Sequence, residues 1–345
     1  MSSKKAGIVL GALGLGALTL NVSGVLRRQP YSFEGKVVLI TGGSRGLGLA
    51  LARVFAEEGA HLALLARGEA ELERAATELR REGTRVLTIP CDVREREAVE
   101  RAVAEVAGHF GALDVLVNNA GVIQVGPLAH MQEEDFKNAL AVHLWGALHT
   151  TFAALPHLKK VRGRVVNIAS VGGKVAVPHL LPYVTSKFAL VGLSDGLRAE
   201  LAKEGVHVTT VAPGLMRTGS YPNVQLKGRH AQELTWFAVG DSLPLLTISA
   251  PKAARKIVAA CRRGKAQLVL TFPARGAVLA NTLFPEITAK LLDVTNRLLP
   301  GRNPVDGDEV KKGTEVDSSV VPSPLTILSD RAARRHNQPS MPGEE

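Results

Sequence analysis

Residues 36–48 read KVVLITGGSRGLG and are the clearest indication of the fold. Val37–Ile40 is a run of four apolar residues, three of them β-branched, which is typical of a buried strand. Residues 47–58 then carry apolar side chains at helical spacing. The glycines therefore fall between a strand and a helix, where free backbone N–H groups and the positive helix end favour a pyrophosphate. A glycine triplet alone is also compatible with an ordinary tight turn. The turn residues that we expect to bind a dinucleotide are Gly42, Ser44, Arg45, Gly46, Leu47 and Gly48.

The same alternation of strand and helix continues to about residue 270. Candidate strands are residues 36–41, 61–66, 85–90, 113–118, 164–169, 206–212 and 267–271. This order predicts an α/β fold with a doubly wound, parallel, Rossmann-type sheet in a single catalytic domain over residues 34–272. We expect an apolar helical extension over 273–300, broken near Pro285 into two short helices. Residues 301–345 are rich in Pro, Asp, Ser and Gly, which predicts a mostly disordered tail.

The second strand ends next to a cation. Arg67 follows Ala66 directly, and Arg45 lies inside the glycine turn. Arginine at this place meets a ribose 2′-phosphate, whereas an acid meets a free 2′-hydroxyl. The sequence therefore favours NADP(H) over NAD(H). Alternatively, Arg67 is a solvated start to the Glu-rich helix that follows.

Three polar residues near the fifth and sixth strands form a candidate catalytic set. Ser170 follows the strand at 164–169, and Tyr183 and Lys187 lie one helical turn apart. We expect the ammonium of Lys187, helped by an oxidised nicotinamide, to lower the pKa of the Tyr183 phenol. Tyr183 then exchanges a proton, Ser170 holds the substrate oxygen, and Lys187 also grips the nicotinamide ribose. Each residue taken singly has an ordinary structural explanation.

Together these motifs resemble the short-chain dehydrogenase/reductase family. Besides the glycine turn and the Ser/Tyr/Lys set, the chain has Cys91-Asp92-Val93, Asn118-Asn119-Ala120-Gly121 and Pro213-Gly214 in the family's order. The resemblance covers roughly residues 34–270. It implies that Asp92 and Val93 lie beside the adenine and that the backbone near Asn119, Ala120 and Gly121 meets the adenine ribose. It also implies that Pro213, Gly214 and Thr218 contact the nicotinamide end.

One position departs from the family's pattern. His143 stands in Val142-His143-Leu144-Trp145-Gly146, where the family usually has an asparagine whose main chain holds a water linked to the lysine. Histidine could keep that main-chain role or relay protons itself, because its ordinary pKa lies near neutrality. A tolerated substitution is the interpretation that we favour.

These features predict an NADP(H)-dependent oxidoreductase that interconverts a carbonyl and a secondary alcohol. Apolar residues at 215–246, among them Met216, Tyr221, Val224, Leu226, Trp236 and Phe237, either line a site for a lipophilic substrate or complete the core. Steroid-like, retinoid-like and fatty-acyl carbonyls all suit such a site. The alternative is a membrane-tethered NADPH-binding sensor or scaffold without turnover.

The N-terminal segment, residues 1–30, differs from the rest of the chain in composition. An uncharged run from Ala6 to Leu26 lies between Lys4-Lys5 and Arg27-Arg28 and is long enough to cross a bilayer. A cleaved signal peptide and a soluble glycine-rich arm remain alternatives. We favour a single-pass membrane anchor with the catalytic domain in the cytoplasm.

Composition narrows the classes of partner. The formal charge is +10, but no nucleic-acid-binding motif accompanies it, and aromatic residues are only 4% of the chain, so no nucleic-acid partner is expected. The two cysteines, Cys91 and Cys261, have no partner motif, and no metal site is predicted. By resemblance, a homodimer or homotetramer is expected.

Overall fold

The computed structural model describes residues 31–243, 246–318, 320–321, 323–324 and 326–339. The chain divides into two units, residues 1–32 and 33–345, and the first is described only at Tyr31 and Ser32. The predicted anchor at 1–30 therefore lies outside the described residues and stays a prediction. Within the described ranges, no helix has the length and apolar character needed to cross a membrane.

Seven parallel strands form the central sheet, in the order β3-β2-β1-β4-β6-β7-β11. Their bounds are β1 Val37–Thr41, β2 His61–Ala66, β3 Val86–Pro90, β4 Val115–Asn118, β6 Arg164–Ile168, β7 His207–Ala212 and β11 Gln267–Val269. Shorter strands are β5 Gln124–Val125, β8 Met216–Arg217, β9 Gln225–Leu226, β10 Ile248–Ser249 and β12 Lys311–Lys312. The strand order reverses between β1 and β4, which is where open α/β sheets bind ligands. The predicted Rossmann-type α/β fold is confirmed.

Helices cover both faces of this sheet, which is why its strands are almost continuously apolar. The helices are α1 Gly46–Glu57, α2 Glu69–Arg81, α3 Arg96–Phe110, α4 Glu133–Leu140, α5 Gly146–Val161, α6 Leu181–Leu201, α7 His230–Ser242, α8 Ala250–Arg262, α9 Phe272–Leu283, α10 Pro285–Leu298 and α11 Ile327–Arg335. A π-helical turn, Ala141–Trp145, joins α4 to α5. All five residues of β1 are buried, and α1 packs against α8.

The segment after β7 builds a second core. Tyr221, Val224, Leu226 and Phe237 are buried there together with Leu180, among other residues. For these side chains of the 215–246 segment, the structure favours the interpretation that they complete the core. Met216 and Trp236 remain partly exposed.

Helices α9 and α10 form the predicted apolar extension, with the break between them at Phe284. Nearly all of their large apolar side chains are exposed, and Ala274 alone is buried among the residues of these two helices. The most exposed are Phe272 at 85% and Leu298 at 82%.

The described part of the C-terminal tail contains a few short regular elements. Strand β12 pairs antiparallel with β9, and α11 follows it. The backbone N–H of Asn303 donates to His130 Nε2 at 3.0 Å, and Asp308 Oδ1 lies 2.7 Å from His130 Nδ1. Such contacts join residues more than 170 positions apart, so local composition carries no signal of them.

Candidate active site

The glycine turn has a backbone that only glycine accommodates easily. Gly42 and Gly46 have φ values of +63° and +58°, in the left-handed region. A Cβ at Gly48 would lie 2.0 Å from the carbonyl oxygen of Gly42. Glycine at these positions therefore lets the turn fold closely against the start of α1, the backbone arrangement that the dinucleotide prediction requires.

Residues after β4 support this turn from the neighbouring strand. The Thr41 hydroxyl accepts hydrogen bonds from the backbone N–H groups of Asn119 and Ala120, both at 3.0 Å. The Asn119 amide donates to the carbonyl oxygens of Thr41 and Gly42 at 3.0 and 3.1 Å. Asn119 thus has a clear role in shaping the turn.

Asp92 and Val93 follow β3 at the same edge of the sheet. Burial alone would raise the pKa of Asp92, but hydrogen bonds from Arg94, which include one of 2.6 Å, outweigh it and lower that pKa. Asp92 is therefore an anion held by a guanidinium. Val93 lies close against Gly146, where a Cβ would be 2.8 Å from Val93 Cγ2.

The charges expected to recognise a 2′-phosphate lie near each other. Burial lowers the pKa of Arg45, Glu71 opposes this effect, and the charge of Arg67 adds to it. Arg45 Nη1 lies 3.9 Å from Glu71 Oε1. Glu71, which was not among the residues predicted from the sequence, adds a carboxylate that partly offsets the two cations.

Ser170, Tyr183 and Lys187 come together at the carboxyl end of β6. Ser170 caps a short 3-10 turn, with its hydroxyl accepting from Gly172 N at 3.0 Å. The Tyr183 ring lies close by: a Cβ at Gly172 would be 3.4 Å from Ser170 Oγ and 3.5 Å from Tyr183 Cε1. Lys187 is buried and donates to the Ile168 carbonyl oxygen at 2.8 Å. Its Nζ lies 5.6 Å from the centre of the Tyr183 ring.

The pKa values of this pair depart from the sequence-based expectation. Burial lowers the pKa of Lys187 to about 7. Burial also raises the pKa of Tyr183, a hydrogen bond from Ser170 opposes this, and the negative charge of Asp241 adds to it. The predicted lowering of the phenol pKa is therefore not produced by the groups of this chain alone, because desolvation outweighs the effect of Ser170.

His143 lies on the π-helical turn and is fully engaged by the protein. Its Nε2 accepts from the Val122 backbone N–H at 3.2 Å, so Nδ1 carries the proton and donates to Ser186 Oγ at 2.7 Å. Ser186 in turn donates to the Tyr183 carbonyl oxygen at 2.7 Å. Burial and then the charge of Lys187 lower the pKa of His143 well below its ordinary value. This geometry supports a structural role and leaves no ring nitrogen for a proton relay.

Pro213, Gly214 and Thr218 border the other side of the crevice. The Pro213 carbonyl accepts from Val171 N at 2.7 Å, which ties this loop to the Ser170 turn. A Cβ at Gly214 would lie 2.7 Å from Thr271 Oγ1, so glycine permits the close approach of α9. Thr218 is buried.

Sequence reasoning missed several residues that shape the site. Ser186 positions His143, and Asn118 donates to Asn167 Oδ1 at 2.8 Å between β4 and β6. Asp241 lies buried on α7, where burial raises its pKa to about 7. Asn119 was predicted to contact the cofactor, whereas Asn118 was given no role of its own. The hydrogen-bond partners of Asn118, Thr151 and Asn167, lie 33 and 49 residues away, so no local sequence pattern indicates them.

Comparison with known proteins agrees with this architecture. A family model described as short chain dehydrogenase matches residues 36–227. Oxidoreductase UcpA of Salmonella typhimurium is 42% identical over 186 residues, which are 53% of this chain and 70% of that protein. The 11-beta-hydroxysteroid dehydrogenase-like 4A of Arabidopsis thaliana is 38% identical over 241 residues, 69% of this chain and 77% of that protein.

A solved structure has the same architecture. L-Sorbose reductase from Gluconobacter frateurii, in complex with NADPH and L-sorbose, aligns with a TM-score of 0.63 and 29% identity. The alignment covers 70% of this chain and 97% of that one. The chain belongs to the short-chain dehydrogenase family, and it is an oxidoreductase of that type whose fold binds nicotinamide cofactors.

Proposed function

We propose that the protein is an NADP(H)-dependent oxidoreductase that interconverts a carbonyl and a secondary alcohol. The observation that supports this best is that Ser170 and the Tyr183 ring come together at Gly172, with buried Lys187 next to the ring, at the carboxyl edge of the sheet. When bound, NADP(H) supplies the hydride chemistry. Tyr183 gives its phenolic proton to the carbonyl oxygen in reduction and takes it back in oxidation. Ser170 donates a hydrogen bond to the same oxygen.

Replacement of the phenol tests this role. Tyr183→Phe should abolish turnover and leave NADPH binding nearly unchanged, because only the hydroxyl is lost. NADPH oxidation with a panel of hydrophobic ketones and aldehydes measures the first, and nicotinamide fluorescence measures the second. Tyr31→Phe is the matched control and should keep full activity. Near-wild-type turnover in Tyr183→Phe, or NADPH binding by the wild type without turnover across the panel, would contradict the proposal.

The preference for NADP(H) rests on two guanidinium groups that lie near each other, those of Arg45 in the glycine turn and Arg67 after β2. With Arg94 bound to Asp92, the cations Arg45 and Arg67 outnumber the remaining carboxylate of Glu71, so a 2′-phosphate gains more there than a neutral ribose hydroxyl. The sorbose reductase, a relative of the same fold, is described with NADPH.

A lipophilic substrate is the class that we propose. Exposed leucines lie at both ends of the 215–246 segment: Leu215 at 40%, Leu243 at 42% and Leu246 at 44%. A relative named for hydroxysteroid dehydrogenase agrees with this class. In a series of methyl ketones, kcat/KM should rise severalfold per added methylene, about 0.8 kcal/mol each. Faster turnover of a polar sugar ketone than of any member of the series would refute the class.

We also propose that residues 1–30 anchor the protein to a membrane with the catalytic domain in the cytoplasm. Support comes from the uncharged run Ala6–Leu26 between basic flanks. Association with membranes should resist carbonate washing and disappear when residues 1–28 are deleted. A full-length protein that stays in the soluble fraction would exclude the anchor.

A homo-oligomer that pairs through α5 and α6 is the assembly that we propose. Exposed aromatic residues support it: Trp145 at 51%, Phe152 at 56% and Phe188 at 44%. Sedimentation should show a dimer or tetramer, and Phe188→Glu should shift it toward the monomer. A monomeric wild type would refute this assembly.

A further inference from the structure

The C-terminal tail reaches the glycine turn. The backbone N–H of Gly46 donates to the His336 carbonyl oxygen at 2.8 Å. Gly46 is the first residue of α1, so this N–H is one of the first-turn donors that have no partner within the helix. It is therefore a donor that a phosphate oxygen would use, and the tail already occupies it.

The next two residues of the tail connect both sides of the crevice. The Asn337 amide donates to the carbonyl oxygens of Ser44 and Glu71 at 2.8 and 3.0 Å. The Gln338 amide donates to the Thr218 carbonyl oxygen at 3.3 Å. Ser44 belongs to the turn, and Thr218 lies on the side proposed for the nicotinamide. Residues 336–338 thus run across the groove that the dinucleotide would follow.

The docking of this segment is specific. The Tyr221 hydroxyl donates to Asp330 Oδ1 at 2.6 Å. Ala333 is buried against Gly219, where an added Cβ would lie 2.3 Å from Ala333 Cα. His336 is only 1% exposed. The charged groups that face it are Arg53, whose Nη1 lies 3.0 Å from His336 Nδ1, together with Arg335 and Glu78.

We propose that residues 327–338 are an autoinhibitory segment that competes with the dinucleotide for the glycine turn. A carbonyl oxygen and a phosphate oxygen are both negative, and they cannot both accept from the Gly46 N–H in good geometry. The coupling is reciprocal: a docked tail weakens cofactor binding, and a bound cofactor releases the tail. This inference rests on the proposed binding of NADP(H), and it adds a regulation of that site.

Two full-length variants test the competition. Ala333→Asp places a carboxylate in the buried contact with Gly219, and Tyr221→Phe removes only the hydroxyl that bonds Asp330. Arg331→Ala, at an exposed position of α11, is the control. Fluorescence titration with NADPH should give a Kd about tenfold lower for Ala333→Asp, somewhat lower for Tyr221→Phe, and unchanged for Arg331→Ala. Circular dichroism checks that each variant is folded.

Limited trypsin digestion reports the reverse coupling. NADPH should speed cleavage of the wild type at Arg334 and Arg335, because it displaces their helix. Equal Kd values in all variants, a higher Kd in Ala333→Asp, or protection of the tail by NADPH would overturn the inference and leave the proposed function intact. Failure of every variant to bind NADPH or NADH would remove the proposed function and this inference together.

Discussion

Removal of the His143 side chain should destabilise the protein without moving its pH profile. His143→Ala loses two buried hydrogen bonds, to Val122 N–H and Ser186 Oγ, worth about 1 kcal/mol each. The cavity adds about 1–2 kcal/mol. The free energy of unfolding should therefore fall by about 3–4 kcal/mol, and the melting temperature by about 6–8 °C. His143→Asn keeps part of this bonding and should lose about half as much.

Calorimetry and steady-state kinetics measure the two effects. His157→Ala is the matched control, because this half-buried imidazole on α5 makes no side-chain hydrogen bond or ring contact with the residues that the structure describes. It should change stability by less than about 0.5 kcal/mol. The imidazole of His143 stays neutral because burial lowers its pKa, so the limbs of the pH profile should keep their positions in His143→Asn. A shifted limb with unchanged stability would refute the structural role and restore the proton relay.

Three further outcomes follow from charges at the site. Burial lowers the pKa of Lys187 from 10.5 to about 7, so between these pH values the unfolded state binds more protons than the folded state. The wild type should therefore gain stability relative to Lys187→Met as pH rises across this range. A difference in melting temperature between the two proteins that is the same at pH 7 and pH 9 would contradict this prediction. Arg67→Ala should lower the ratio of kcat/KM for NADPH to that for NADH about tenfold or more, and Arg45→Ala should act in the same direction, whereas an unchanged ratio would exclude the 2′-phosphate contact. Burial and the neighbouring arginines lower the pKa of His336 to about 4, so docking of the tail should be complete above pH 6.5 and weaken as pH falls toward 4. The NADPH affinity of the wild type should then approach that of Ala333→Asp at low pH. A constant ratio of the two affinities over this range would disprove the pH-dependent docking.

The sequence predicted the sheet well because its signals are local. Each strand of the central sheet is a short apolar run next to a helix, and the seven predicted strands match the observed ones to within one or two residues. The glycine turn was readable for the same reason. Ser170, Tyr183 and Lys187 do meet at one edge, since parallel strands carry their carboxyl ends there.

What escaped prediction depends on contacts between distant parts of the chain. The contacts of the tail could not be read from its composition, because partners such as Gly46 lie far away, 290 residues before His336. The sequence predicted a lowered pKa for Tyr183, whereas burial raises it in the chain alone. Sequence spacing shows that an amine is near the phenol, but it does not show how completely water is excluded from it. Likewise, periodicity could not tell a wall of the substrate site from a second core around Tyr221.

The π-helical turn at Ala141–Trp145 makes the chain there intolerant of a change in length. It holds one residue more than a regular α-helix of the same rise would need. Deleting a single residue would let the helix close up and would rotate everything beyond it by about 100°. Thr150 and Thr151, which bond Asn118 at the carboxyl end of β4, would then turn away from it. Homologues of this chain should therefore keep the number of residues in this turn even where its side chains differ.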